Sequence, residues 1–338
     1  MRRRTMIKAG AALGLATLLR IPAHAAGPTV KLRVAEANHT IFYTPMYVAI
    51  GKGFASEQGL DVEIISANGG DRAGALLLSG GADIALAGPE VPMYIYNGES
   101  LDKPSIFCAL TGTDGFYFTS RQKIDKFDWS MVNGKKILGF RPGSTPQLYL
   151  EYVLKSKGVH SDTIKSVITN IAPPARAGAW LSGAADFGTF LDPELTTLEK
   201  AGQAYEIASI GKEVGRADYT AFFAVKSWLA KNADVAQRWT NAINNAQAWT
   251  KTASSADIAA AITTFFPGLA VSEAIIGLDR IRNSGAPIWA DSPLVSSAGF
   301  NKLKEIMIIG GTLTADKSPP YAAVVDTSFA EAAVKKGG

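Results

Sequence analysis

Apolar and polar positions fall in blocks along residues 30–110, and the blocks differ in period. Met46, Ala49, Ile50 and Phe54 recur at helical spacing. The spacing predicts a helix over Thr44–Gln58, with Lys52 in its last turn and Gly59 closing it. Asp61–Ile65 alternates instead and carries the β-branched residues that suit a strand, and Lys31–Ala35 reads the same way before the helix. Together they form a strand–helix–strand unit with parallel strands. Further strands are predicted at Asp83–Ala87 and Ser105–Leu110, with helices near Ala73–Ser79 and Val91–Asn97. A polar and aromatic passage over 111–134 reads as a hairpin-like link. A second series follows: strands at Lys136–Phe140, Ser166–Asn170 and Asp186–Phe190, and helices from Ser144 or Thr145 to Lys157, at Arg176–Ser182 and from Pro193. Tyr219–Val225 is an apolar strand leading back to the first series. Helices near Ala233–Thr252, Asp257–Phe265, Val271–Ile281 and Leu294–Ile309 complete the pattern.

The motifs within these elements carry a resemblance. P-x-Y-V-A-x-x-K-G-F at Pro45–Phe54, G-L-D-V-E at Gly59–Glu63 and G-A-D-I-A at Gly81–Ala85 resemble the solute-binding proteins of ABC importers. The likeness continues through Gly134–Val159, Ala175–Glu194 and Ala217–Trp249, nearly all of the chain after the leader. The group it is most similar to binds nitrate, taurine, aliphatic sulfonates and thiamine-pyrimidine precursors. The resemblance implies an α/β, two-lobed type II periplasmic-binding-protein fold, with mixed, mainly parallel sheets and a ligand cleft between the lobes. It also implies a discontinuous first lobe, 30–113 with 219–330, and an inserted second lobe, 114–218.

Charge and address change the picture next. Lys and Arg number 34 against 30 Asp and Glu, a formal net charge of +4. Five of those cations (Arg2, Arg3, Arg4, Lys8, Arg20) lie in residues 1–25 with no acid, so the rest of the chain holds 29 bases against 30 acids. The basic balance belongs to the leader and gives no support for nucleic-acid binding. That leader has a basic start, an apolar run Ala9–Leu19 and small residues at Ala23-His24-Ala25 before Ala26, the pattern of a cleaved export signal. Arg3-Arg4-Thr5-Met6-Ile7-Lys8 resembles the twin-arginine motif, although Arg2 stands where that motif prefers Ser or Thr. The expected address is the periplasm. Hydrophobic residues make up 47% and charged residues 19%, enough for a sizeable core. The single cysteine, Cys108, sits in an apolar strand and has no internal disulfide partner.

In parallel α/β sheets the crevice lies at the carboxyl ends of the strands, so the loops there hold the candidate chemistry. In the first lobe these are Asn38, His39, Phe42 and Tyr43 after the first strand, Gly70 after the second and Glu90 after the third. Asn38 and Thr40 can equally satisfy the loop backbone, with Phe42 packed beneath, and Glu90 can serve only the helix dipole. In the second lobe, Ser144 and Thr145 cap a helix whose N-terminus suits an anion. Asp192 reads as a helix cap or a ligand contact, while Asp114 and Tyr219 lie where the chain crosses between lobes. Of six aromatics around the cleft (Phe42, Tyr43, Phe116, Tyr117, Phe190, Tyr219), about two are expected at the ligand, since most aromatics are core. No catalytic constellation, metal-ligand spacing or cofactor motif is legible.

The resemblance implies a monomeric binder of a small solute that closes by a hinge and docks peripherally at the inner membrane on an ABC permease and its ATPase. The fungal pyrimidine synthases share the architecture, but as enzymes they need a cysteine-rich segment and a cytosolic address, which this sequence does not offer. An extracytoplasmic sensor remains a third reading. The ligand divides two ways. Ser144 and Thr145 at a helix start favour a sulfonate, taurine or nitrate; Glu90, Asp114, Asp192 and the aromatics favour a nitrogenous ring. The anion is the leading expectation, to be reversed if Arg72 and Arg141 both turn from the cleft.

Overall fold

The computed structural model describes residues 29–337; the expected export leader at 1–25 lies outside them. Ten strands follow in order: β1 (Val30–Glu36), β2 (Leu60–Ser66), β3 (Ile84–Ala87), β4 (Pro104–Thr111), β5 (Tyr117–Ser120), β6 (Lys136–Leu138), β7 (Ser166–Ile168), β8 (Phe187–Phe190), β9 (Tyr205–Ser209) and β10 (Thr220–Val225). They build two five-stranded sheets, ordered β2-β1-β3-β10-β4 and β7-β6-β8-β5-β9. β1 pairs in parallel with β2, from Val30 opposite Leu60 to Glu36 opposite Ser66, and with β3 on its other side. β10 runs antiparallel between β3 and β4, and β5 does the same between β8 and β9. Each sheet therefore has one reversed strand, contributed after the chain has crossed to it. The sheets are mixed: four of the five strands in each run the same way, and half of the pairings are antiparallel.

The two crossing segments are tied to each other. Ala217 N–H donates to Gly112 O at 3.0 Å and Tyr219 N–H to Thr111 O at 3.2 Å. Thr111 and Thr220 share a hydroxyl hydrogen bond of 2.6 Å beside them.

Helices flank the sheets, and the first departs from its predicted span. α1 (Thr44–Gly51) stops early, Gly53 passes through φ +85°, and α2 (Phe54–Glu57) starts again. A left-handed glycine ends one helix and turns the chain into the next. α3 (Gly70–Leu78), α4 (Glu90–Asn97), α5 (Thr145–Ser156), α6 (Arg176–Leu181) and α7 (Glu194–Lys200) each follow a parallel strand. α8 (Ile210–Val214) precedes the return crossing. Beyond β10 come α9 (Lys226–Lys231), α10 (Ala233–Thr252), α11 (Ser255–Ile262), α12 (Val271–Asn283) and α13 (Ser297–Ile309). α10 buries Val235, Ala236, Trp239, Ile243 and Ala246, one stripe at helical spacing.

Two strands were not anticipated. The passage over 111–134 holds β5, an inner strand of the second sheet, rather than a hairpin-like link. All four β5 residues are buried, so no polar–apolar alternation marks them. β9 lies at the sheet edge in a largely half-buried run. Cys108 is buried in β4. Among the described residues no helix is long and apolar enough to cross a membrane, and no group of three or more His, Cys, Asp or Glu could hold a metal ion.

Candidate binding cleft

The loops after β1, β2 and β3 face those after β6, β7 and β8 across a cavity of about 420 Å³. Both sheets thus present the carboxyl ends of their parallel strands to one crevice. Asn38, His39, Tyr43, Gly70, Glu90, Ser144, Thr145, Asp192 and Tyr219 all line it.

Glu90 dominates the centre. It stands at the first turn of α4, is 3% exposed, and its Oε1 accepts the Thr145 backbone N–H of α5 at 3.1 Å. The helix N-terminus predicted to receive an anion therefore receives the protein's own carboxylate. Ser144 is the N-cap residue, but its hydroxyl donates to Arg141 O at 2.7 Å and makes no cap bond. Glu90 takes over that capping from across the cleft. Glu90 Oε2 and Thr145 Oγ1 are buried beside each other, and neither has a hydrogen-bond partner elsewhere in the protein. Gly88 makes the approach possible, since a Cβ there would collide with both atoms. Burial pushes the Glu90 carboxyl up to about 6, opposed by Thr145 and by backbone N–H groups of both helices.

Arg176 and Glu194 were missed as site residues. Arg176 opens α6 with its guanidinium 2% exposed, donating to Gly139 O, Leu138 O and Thr189 O, and lies 3.7 Å over the Phe140 ring. Burial lowers it to about 10, and the nearby Glu194 works the other way. Glu194 itself is raised by burial. The signal available was position: both residues open helices that follow parallel strands, as Glu90 and Thr145 do.

The remaining polar groups are largely engaged within the protein. His39 bonds Glu36 Oε1 through Nδ1 at 2.7 Å and donates from Nε2 to Phe265 O at 2.8 Å, leaving only its ring face for the cleft. The Glu36 carboxylate raises His39 above its ordinary pKa. Asp192 Oδ1 accepts the Thr196 N–H at 3.1 Å, so it caps α7, and Oδ2 pairs with Arg280 at 3.0 Å. Arg280 of α12 also binds Glu199 and Glu206. On the opposite rim Arg141 forms a two-pronged bridge with Asp71. Arg141 thus reaches the cleft with its charge answered, so the two arginines do not both turn from it; Arg72 is exposed on α3 outside the lining. Across the cleft, Thr40 Oγ1 donates to Asp192 O at 3.1 Å and Tyr94 OH to Gly143 O at 2.9 Å. These contacts describe a closed cleft.

Phe42 and Asp114 do not line the cavity. A 3-10 turn over Ile41–Tyr43 turns Phe42 inward, where it is 1% exposed and meets Tyr219 edge-on at 5.5 Å. Asp114 is fully buried in the crossing segment below the floor, accepting the Phe116 N–H at 2.5 Å, with Oδ2 unpartnered. Burial pushes its carboxyl up to about 8, with the Tyr219 hydroxyl opposing. Of the six aromatics, Tyr43, Phe116 and Tyr219 reach the cleft, joined by Phe140, which was not singled out.

Comparison with known proteins fits this geometry. The NMT1/THI5 like family model matches residues 40–253. YtlA of Bacillus subtilis (strain 168), for which a binding role is proposed, is 36% identical over 301 residues, covering 89% of each chain. Among solved structures, the alkanesulfonate-binding protein SsuA of Xanthomonas axonopodis pv. citri superposes with a TM-score of 0.71 at 16% identity, covering 90% of this chain and all of its own. The periplasmic nitrate-binding protein NrtA of Synechocystis PCC 6803 gives 0.71 at 17%, covering 92% and 89%. The ligand-binding component of an ABC-type import system from Staphylococcus aureus gives 0.73 at 14%, covering 90% and 98%. At these identities the solved structures speak for the fold.

Proposed function

This chain belongs to the NMT1/THI5 like family, and from that premise we propose that it is the solute-binding component of an ABC import system whose cleft takes a small nitrogenous ring bearing N–H groups. The fold it shares with SsuA, NrtA and the Staphylococcus aureus component supports the transport role. The leader at residues 1–25 supports an address in the periplasm. In this reading residues 114–218 are the inserted lobe, moving about the paired crossing segments, and the closed form docks on a membrane permease. The protein binds and releases its solute without chemistry.

One observation carries the ligand class: Glu90 lines the cleft, and its Oε2 is buried beside Thr145 Oγ1 with no other donor. A buried carboxylate oxygen without a donor is costly, and an incoming N–H group removes that cost. Tyr43, Phe116, Phe140 and Tyr219 supply walls for a flat ring. A second reading, a small organic or inorganic anion of the sulfonate, taurine or nitrate type, is favoured by one observation, the Arg176 guanidinium in the lining. Three of its five N–H groups are held by backbone carbonyls, which is why it stands second. A thermal-shift panel separates the two, because a ligand of the native state raises the melting temperature by mass action. Shifts with aminopyrimidines or amidines support the ring; shifts confined to sulfonates, taurine or nitrate support the anion.

A further inference from the structure

A second cavity of about 640 Å³ adjoins the cleft beyond the Asp71–Arg141 bridge. The two share Gly70, Glu90, Arg141 and Ser144, so they are compartments of one interlobe space divided by an ion pair. Their chemistry differs. The outer compartment is walled by Ala75, Leu78, Val91, Tyr94, Ile95 and Pro142. On α3, Gly70 and Gly74 let α4 pack close, a Cβ at Gly74 meeting Val91 at 2.8 Å, while Ala75 and Leu78 supply the α3 side chains on this space. Leu78 at its lip is 44% exposed, an uncovered apolar side chain at the mouth of an apolar space. Glu90, nine-tenths buried and with one oxygen unpartnered, stands on the wall common to both compartments.

We propose that the ligand has two parts: a polar head held at Glu90 in the cleft and an apolar substituent that passes the Asp71–Arg141 bridge into this outer compartment. The proposal rests on the reading of the cleft as a solute site. It commits to the substituent as occupant because the compartment opens onto the head's own site and carries no charge beyond Glu90 and the bridging pair. The bridge lies on the surface, with side chains 37% and 63% exposed, so parting it costs little. The solute class is therefore a heteroaromatic or amine bearing an alkyl or aryl group of several carbons.

Calorimetry on the purified protein with paired probes tests this. The pairs are 4-aminopyrimidine and 4-amino-5-hexylpyrimidine, methylammonium and hexylammonium, and methanesulfonate and hexanesulfonate. A buried methylene is worth about fourfold in affinity, so partial burial of the five or six added carbons predicts at least about a tenfold gain for the hexyl member. Ala75→Trp fills the compartment from an exposed position and is expected to cut that gain to within about twofold while leaving the short probe unchanged. Leu78→Ser removes the lip and should lower the gain several-fold, and melting temperatures confirm that both variants fold. A hexyl gain on the sulfonate head alone overturns the nitrogenous reading of the cleft and keeps the two-part ligand. Equal affinities within each pair, a gain indifferent to Ala75→Trp, or no binding by any probe overturns the two-part ligand.

Discussion

Glu90 and Thr145 stand 55 residues apart in the chain and meet across the cleft, the Thr145 N–H donating to Glu90 Oε1 at 3.1 Å. One carboxylate thereby closes the start of a helix across the cleft, and its second oxygen lies buried beside the Thr145 hydroxyl. An anion placed at the same helix N-terminus would have to displace Glu90 or share a desolvated site with it, and like charges there repel strongly.

Binding should follow the protonation of Glu90. Its carboxyl titrates near pH 6, and only the ionised form accepts from an N–H donor at both oxygens. The affinity for benzamidinium, which stays charged through this range, is expected to be flat above about pH 7 and to fall about tenfold per unit well below 6. Calorimetry between pH 5 and 8 checks this. Affinity that rises on acidification would instead mark an anion site.

Asp114 makes a prediction about stability. The buried carboxyl sits near 8 in the folded protein against an ordinary 3.8, so the native state holds a proton that the unfolded chain has lost. Stability then falls as pH rises between those values, by up to about 1.4 kcal/mol per unit from this group. Asp114→Asn removes the titration and retains an acceptor for the Phe116 N–H. Between pH 6.5 and 8 the wild type is expected to lose on the order of 2 kcal/mol relative to the variant in urea unfolding. Parallel pH profiles for the two proteins would contradict the account.

The two ion-pair clusters at the cleft rims should differ in strength. Arg141–Asp71 is exposed, so Arg141→Ala is expected to cost below about 1 kcal/mol. Arg280 is 13% exposed and faces Asp192, whose side chain is wholly buried, together with Glu199 and Glu206. Arg280→Met strands that carboxylate and should cost about 3 kcal/mol. Chemical denaturation measures both, and equal costs would show that burial is not what separates them.

Gly88→Ala should act on the cleft through the Glu90 carboxylate. The added methyl collides with Glu90 Oε2 and Thr145 Oγ1, so the carboxylate must move. Affinity for benzamidinium is expected to fall about tenfold with a small change in melting temperature, because one charge-assisted hydrogen bond is worth about 1.5–3 kcal/mol. Unchanged affinity would place the ligand elsewhere.

Much of the fold was legible because its signals are local. The unit from β1 to β3 shows alternation in β2 and helical spacing in α1, each read within ten residues or so. β5 left no such mark because it is buried on both faces, and Gly53 hid a helix break inside an unbroken apolar period. The site divides in the same way. Position after parallel strands located Asn38, Tyr43, Gly70, Glu90 and Thr145 at one cavity. What a local reading could not give is pairing: that Glu90 would occupy the helix start of α5, or that Phe42 would turn inward against Tyr219. Those are long-range contacts with no trace in spacing. Arg176 lay within reach of the positional argument and was passed over because a single arginine after two prolines carries no motif.

The most direct test of the central claim is calorimetry of 4-aminopyrimidine and butanesulfonate against the wild type and Glu90→Gln at pH 8. The account predicts that the aminopyrimidine binds the wild type, and that Glu90→Gln weakens it roughly ten- to hundredfold, the worth of a charge-assisted hydrogen bond. Tighter binding of butanesulfonate by the wild type, improved further by Glu90→Gln, would contradict it and make the cleft an anion site.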